Sequence, residues 1–328
     1  MSNKGWTMAF VGVLLVFGYF LYKFMSPALE INHLVQDMNL SSVKRESMKH
    51  VVLIAQELDN PFWRTVEQGA RASAAQRGIA IEYMGPNRIN PSEQKRLLEK
   101  AITGKPDAIL LQGVKDPDYA SLIDQAVDQG IPVITVDADQ PDSKRLAYVG
   151  TDNLEAGRRM GELIVSHAAG QGKIGVIIGS ETADNQQLRL EGLRSVISKT
   201  QGYEIVAVRA SNISRMQAAT QTEALLSQYG DMKTMVGLSA LDAAGIVEGM
   251  RAANRTGLRV FGFDDIDATV QGIASGVITA SIVQHPREIG ERSIELLEAY
   301  FKGTAPTAQR FIATRVLDRN HLASKVNS

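Results

Sequence analysis

The chain has 328 residues, 44% of them hydrophobic and 22% charged, which is the composition of a globular protein with room for two ordinary domains. Thirty-five Lys and Arg face 36 Asp and Glu, so no basic excess exists to hold nucleic acid through its phosphates. No cysteine is present, which excludes disulfides, thiolate metal sites, cysteine nucleophiles and a lipid-bearing cysteine anchor.

The first feature is an uncharged apolar run, WTMAFVGVLLVFGYFLY, over 6–22, preceded by Lys4 and followed by Lys23. It sits at the lower length limit for a membrane-spanning helix, and Trp6, Tyr19 and Tyr22 stand near its ends as interfacial aromatics do. The competing reading is a cleaved signal peptide ending at Ser26-Pro27-Ala28. The run exceeds the usual ~7–15 residues of a signal core, so an uncleaved anchor over 1–28 is favoured. On either reading the rest of the chain lies outside the cytoplasmic membrane, and on the favoured one it is single-pass. Residues 29–49 read as a juxtamembrane linker. Ile31, Leu34, Val35 and Met38 fall on one face of a helix there, and 41–49 is polar.

From His50 onward, β-branched runs alternate with amphipathic stretches. Strands are predicted at 51–55, 79–84, 108–112, 132–137 and 147–150, then at 173–179, 203–208, 234–238, 259–263 and 278–283. Helices are predicted over 61–77 and after Asn90, where Asn90 caps, Pro91 takes the first turn and Glu93 the third position. Alternating β and α units imply parallel sheets covered by helices on both faces. That many strands exceed one open sheet, so the expected fold is α/β with two doubly wound lobes. Ligands in such sheets bind at the carboxyl ends of strands, which directs attention to the residues just after them.

After the first strand comes Gln56, then Asn60-Pro61-Phe62-Trp63. Asn60 and Pro61 are explained as a helix start, but adjacent aromatics point about 100° apart on a helix, so one of Phe62 and Trp63 faces away from the core stripe. Aromatic faces stack on sugar C–H groups. After the fourth strand come Asp137 and Asp139, read either as turn caps or as acceptors for the hydroxyls of a polyol, since buried carboxylates need partners. Arg189, Asp264 and Gln284 complete the set; the last two follow strands. Carboxylates, a guanidinium, amides and aromatics together suit a neutral, hydroxyl-rich small molecule.

The stretches LDNPFW (58–63), GIPVITVDAD (130–139), YVGTDN (148–153), RLEG (189–192), VFGFDD (260–265) and SIVQHP (281–286) resemble, in order and spacing, the type I periplasmic binding proteins of the ribose-binding-like sugar receptor family, from about His50 to Val316. The resemblance implies two lobes joined by three crossovers, near 150–153, near Gln284 and near 313–316, closing on ligand. It places 50–152 with 285–313 in the first lobe and 153–284 with 314–328 in the second. It assigns ligand binding to Gln56, Asn60, Phe62, Trp63, Asp137, Arg189, Asp264 and Gln284. Departures are also visible. Ala138 stands where the ribose receptors carry Arg, so Asp139, followed by Ser143-Lys144-Arg145, is added as a candidate. Ile213 stands where a third aromatic is expected. Ala240-Leu241-Asp242 replaces an Asn-Asp pair, and Asp242 either caps the next helix or faces the cleft.

The expected function is an extracytoplasmic sugar or polyol receptor, anchored through residues 6–22 and signalling to a sensor histidine kinase. The alternative is the substrate-binding component of a sugar ABC transporter, delivering to its permease. A transcription repressor with the same body would need a helix-turn-helix head where the apolar run stands. An enzyme is not expected: no G-x-S-x-G, H-E-x-x-H, Walker A or G-x-G-x-x-G motif occurs, and His33, His50, His167, His285 and His321 lack metal-ligand spacing. No cofactor or metal is expected.

Overall fold

The computed structural model describes Tyr19, residues 48–167 and residues 171–326. The expected anchor over 6–22 and nearly all of the linker over 29–49 lie outside the described residues. Among the described residues no helix is long and apolar enough to cross a membrane. Residues His50–Ser328 form one compact unit, and everything below concerns it.

The first half supplies β1 (Lys49–Ile54), α1 (Pro61–Ala75), β2 (Ile79–Met84), α2 (Pro91–Gly104), β3 (Ala108–Leu111), α3 (Pro117–Asp128), β4 (Val133–Val136) and β5 (Ala147–Gly150). The second supplies α4 (Asn153–His167), β6 (Gly172–Ile178), α5 (Asp184–Ile197), β7 (Tyr203–Ala210), α6 (Arg215–Gln228), β8 (Thr234–Gly237), α7 (Asp242–Ala252), β9 (Arg259–Phe263), α8 (Asp267–Ser275) and β10 (Ala280–Val283). The chain closes with α9 (Pro286–Phe301), β11 (Gln309–Phe311), β12 (Arg315–Asp318) and α10 (Arg319–Val326).

Two six-stranded sheets result, in the orders β2-β1-β3-β4-β5-β11 and β7-β6-β8-β9-β10-β12. Within them β1, β3, β4, β5 and β11 run parallel, as do β7, β6, β8, β9 and β10, whereas β12 is antiparallel to β10. This is the type I periplasmic binding protein architecture. The chain passes between the sheets three times: after β5, between β10 and α9, and between β11 and β12. β11 and β12, QRF and RVLD, are too short to show periodicity, and no strand was expected at either place.

The strands are apolar throughout because both faces of each sheet are covered. Along β1, Val51 and Leu53 join one core with Trp63, Val66 and Ala70 of α1, while Val52 and Ile54 join another with Leu98 of α2 and Ile123 of α3. In the second sheet, Phe261 and Phe263 of β9 face α4 and α5, and Val260 faces α6 and α7. Side chains alternate across a strand, so each residue's parity decides which core it enters.

Two helix pairs pack with backbones almost touching. A Cβ on Gly157 of α4 would lie 2.0 Å from the Arg189 carbonyl oxygen of α5, and one on Gly192 would lie 2.1 Å from that of Leu154. Likewise a Cβ on Gly69 of α1 would lie 2.0 Å from the Arg287 oxygen of α9, and one on Gly290 would lie 2.1 Å from that of Val66. Only glycine permits these crossings, and α5 is thereby set against the helix that follows the first crossing.

Candidate functional site

In both sheets the strand order reverses at a switch point, between β1 and β3 in one and between β6 and β8 in the other, where crevices open beyond the strand ends. The two crevices share one cavity of about 370 Å³, counting its open mouth.

Eight of the nine sequence-predicted residues line this cavity. Gln56 follows β1, Asp137 follows β4, Asp264 follows β9 and Gln284 follows β10. Asn60 caps α1: its Oδ1 accepts from the Phe62 N–H at 3.0 Å, and its Nδ2 donates to Glu57 at 3.2 Å. Pro61 occupies the first helical position. This start swings both aromatics to the cavity wall, with rings edge to face at 5.8 Å. Trp63, only 2% exposed, is also part of the core of the first sheet, while Phe62 is half-buried and packs against the edge of that same core.

Asp137 and Asp264 occupy matching places in the two sheets, each after the fourth strand, and both have positive φ, 67° and 62°. Asp adopts the left-handed region more readily than most residues, yet the conformation still carries strain, and such strain gathers at functional sites. The Asp137 carboxylate accepts from Gln112 Nε2 at 2.9 Å and, across the cleft, from Asn185 Nδ2 of α5 at 3.0 Å. Burial pushes its pKa up, against the pull of Arg189 and these donors. Asp264 accepts from Gln284 Nε2 at 3.1 and 3.2 Å, and burial pushes its pKa up to about 6, again against Arg189.

Arg189 is buried and its charge is held by neutral oxygens. Nε donates to Asn153 Oδ1 at 2.8 Å, Nη1 to the Leu238 carbonyl at 3.0 Å and Nη2 to Gln284 Oε1 at 3.0 Å. These use three of the guanidinium's five N–H donors. Its carbon sits 3.9 Å from the Phe263 ring centroid. Gln284, at the second crossing, also accepts from Thr151 Oγ1 of the first crossing at 2.8 Å, so the guanidinium and two of the connections share one network.

Asp139 does not line this cavity. Its carboxylate pairs with Arg145, Nη2 to Oδ2 at 2.6 Å, and accepts from Thr135 Oγ1 at 2.6 Å. The bond from Ala138 N to the Val136 carbonyl turns the chain sharply, which sends Asp137 and Asp139 to different surroundings. Asp242 is also outside it. Its carboxylate accepts from Ser211 Oγ at 2.6 Å and from the Ser239 N–H at 2.8 Å, bracing the start of α7. His285 is not among the lining residues either. Five lining residues were outside the expected ligand set: Asn185, Gln186 and Ser239, together with Ile213 and Ala240, which stand where the resemblance had marked departures. Among the described residues no group of three metal-ligating side chains converges.

The cavity therefore offers two carboxylates, one buried guanidinium, several amides and an aromatic edge. With both carboxylates ionised its fixed charges sum to −1, and its donors and acceptors are close-set. Such a surface can hydrogen-bond a ring of hydroxyls while one face packs on an aromatic.

The model of the periplasmic binding protein domain matches residues 51–305. The D-ribose/D-allose-binding protein of Pseudomonas aeruginosa is 25% identical over 283 residues, covering 83% of this chain and 88% of that protein. Among solved structures, GanP, a glucose-galactose binding protein from Geobacillus stearothermophilus, is 36% identical with a TM-score of 0.81, covering 84% of this chain and 99% of that one. XylFII, in a structure of the XylFII-LytSN complex, is 29% identical with a TM-score of 0.79 over 84% of this chain and 99% of that one. The chain belongs to the periplasmic binding protein domain family.

Proposed function

We propose that the chain is an extracytoplasmic receptor for a neutral sugar or polyol, which its two lobes enclose. The observation that carries this is the single cavity on which Asp137, Arg189, Asp264, Gln284 and the Phe62-Trp63 pair converge from the strand ends of both sheets. The family, and the sugars named for the ribose/allose-binding and glucose-galactose-binding relatives, support the ligand class. The ligand set proposed is Gln56, Asn60, Phe62, Trp63, Asp137, Arg189, Asp264 and Gln284. The lobes are taken as 50–152 with 285–313 and 153–284 with 314–328. Closure requires that the ligand bind the closed form more tightly than the open one.

In this reading the apolar run over 6–22 anchors the receptor in the membrane, and closure is passed to a membrane partner, a sensor histidine kinase. A relative's complex with a second protein, LytSN, supports a partnered role. Thermal-shift screening of the full chain in detergent against pentoses, hexoses and inositols tests the ligand class. A rise in melting temperature with one or a few of them is expected, and no response to any would refute it. Deleting residues 29–49 while keeping the anchor should abolish sugar-dependent signalling and spare uptake. Loss of labelled-sugar uptake instead would assign the receptor to an ABC permease.

A further inference from the structure

We infer that a second cavity, beside the first, is a subsite for a second sugar unit, so that the preferred ligand is a disaccharide. This rests on the reading of the first cavity as a sugar site and names its ligand more narrowly.

The second cavity, about 390 Å³ counting its open mouth, is bounded by strand-end loops of the first sheet and by the loop between β6 and α5. Gln56 lines both cavities, and its side chain makes no hydrogen bond among the described residues. Two further seams join them. Asp137 lines the first cavity and Ala138 the second, and Asn185 lines the first and Asp184 the second. The first-sheet wall of the second cavity is made by residues that follow β4, β3, β1 and β2. These four strands are neighbours, so the wall spans three strand spacings, about 14 Å. That is room for a ring rather than for a single substituent.

Two buried amides on this wall have unmatched oxygens. Gln94 and Gln112 are each 2% exposed, and both line the second cavity. Gln94 Nε2 donates to the Gln112 carbonyl at 3.1 Å, and Gln112 Nε2 donates to the Asp137 carboxylate at 2.9 Å. Those acceptors fix the nitrogen of each amide and turn its oxygen elsewhere. Among the described residues no donor bonds to either Oε1. A buried acceptor without a donor costs stability, and a ligand hydroxyl supplies one. Across the mouth, Lys115 Nζ lies 3.2 Å from Asp184 Oδ1, so the rim charges are already paired and a neutral guest suits the space. Ile89 and Val114 add an apolar flank for the C–H groups of a ring. An alkyl or aryl aglycone would leave both amide oxygens without a donor, and an ionic one would compete with the Lys115–Asp184 pair.

The test is calorimetry on the full chain, in a detergent without a sugar headgroup. The panel is D-glucose, D-galactose and D-xylose, their methyl glycosides, and cellobiose, lactose, maltose, melibiose and xylobiose. One disaccharide should bind at least ~10-fold more tightly than its component sugars and their methyl glycosides, the gain expected for one or two added hydrogen bonds. Thr182→Trp and Ile89→Trp fill the second cavity from opposite walls, and each should erase that gain while monosaccharide affinity stays close to wild type. Thr182 is exposed and Ile89 half-buried, so neither substitution opens the core. Monosaccharide binding with no disaccharide tighter would overturn the inference and leave the sugar reading standing. So would equal losses for both ligand sizes in the two variants, which marks an effect on closure. If no sugar of either size binds, the carbohydrate reading itself falls, and this inference with it.

Discussion

Replacing Asp264 by Asn should make the ligand-free protein more stable and its ligand complex weaker. Asp264 is 8% exposed, and burial lifts its pKa from the ordinary 3.8 to about 6 even with Arg189 nearby. At about 1.36 kcal/mol per pH unit, ionising it in the folded state costs ~3 kcal/mol at neutral pH. Asn removes that cost, tolerates the positive φ and keeps an oxygen for the Gln284 N–H groups. The sign follows from proton uptake. Between pH 3.8 and about 6 the folded state binds more protons than the unfolded one, so this group makes wild-type stability fall as pH rises through that window. The stability of Asp264→Asn relative to wild type should therefore be near zero at pH 4 and should plateau above pH 7, at up to ~3 kcal/mol, a rise of several degrees in melting temperature. Asp137 and Asp242 also carry raised pKa values, and the difference between variant and wild type isolates Asp264 from them. Ligand affinity should fall ~10-fold, because a charged acceptor becomes a neutral one. Melting curves from pH 4 to 8 and calorimetry measure both. A variant that melts lower than wild type at pH 7.5, with an unchanged pH slope, would refute the reasoning.

Three other outcomes are expected. Trp63→Ala should cost about 3–5 kcal/mol of stability, since the indole is part of the core, whereas Phe62→Ala should cost far less and act mainly on sugar affinity; denaturant titration with calorimetry separates the two. Asp139→Asn should lower stability by ~3 kcal/mol by breaking a largely buried pair with Arg145, and should leave affinity within two-fold; a large affinity loss would return Asp139 to the site. Gly157→Ala should destabilise by about 1–3 kcal/mol or more and weaken binding together, because the new methyl pushes on the Arg189 backbone; normal stability and affinity would count against the close crossing of α4 and α5.

Much of this was legible because parallel α/β sheets write themselves plainly. The apolar strands announce both faces as buried, and the acids and amides directly after them fall at the ligand-binding ends. Asp137, Asp264 and Gln284 entered the proposed ligand set that way, and all three line the cavity. Asn185 and Gln186 carry no such mark. They sit in the first turn of α5, and only the docking of two lobes brings Asn185 to Asp137, 48 residues back in the chain. Ser239 carried no mark either, and Ile213 was marked only as standing where an aromatic was expected; its left-handed backbone emerges only from the geometry. The separation of Asp139 from Asp137 was not legible, because spacing does not reveal the tight turn at Ala138.

The most direct measurement is a crystal structure of the chain grown with its preferred sugar. Density for one sugar ring between the Phe62-Trp63 edge and the Asp137, Arg189 and Asp264 side chains, with the lobes closed over it, is the expected result. Density only in another groove, or an ordered sugar touching none of these groups, would contradict it.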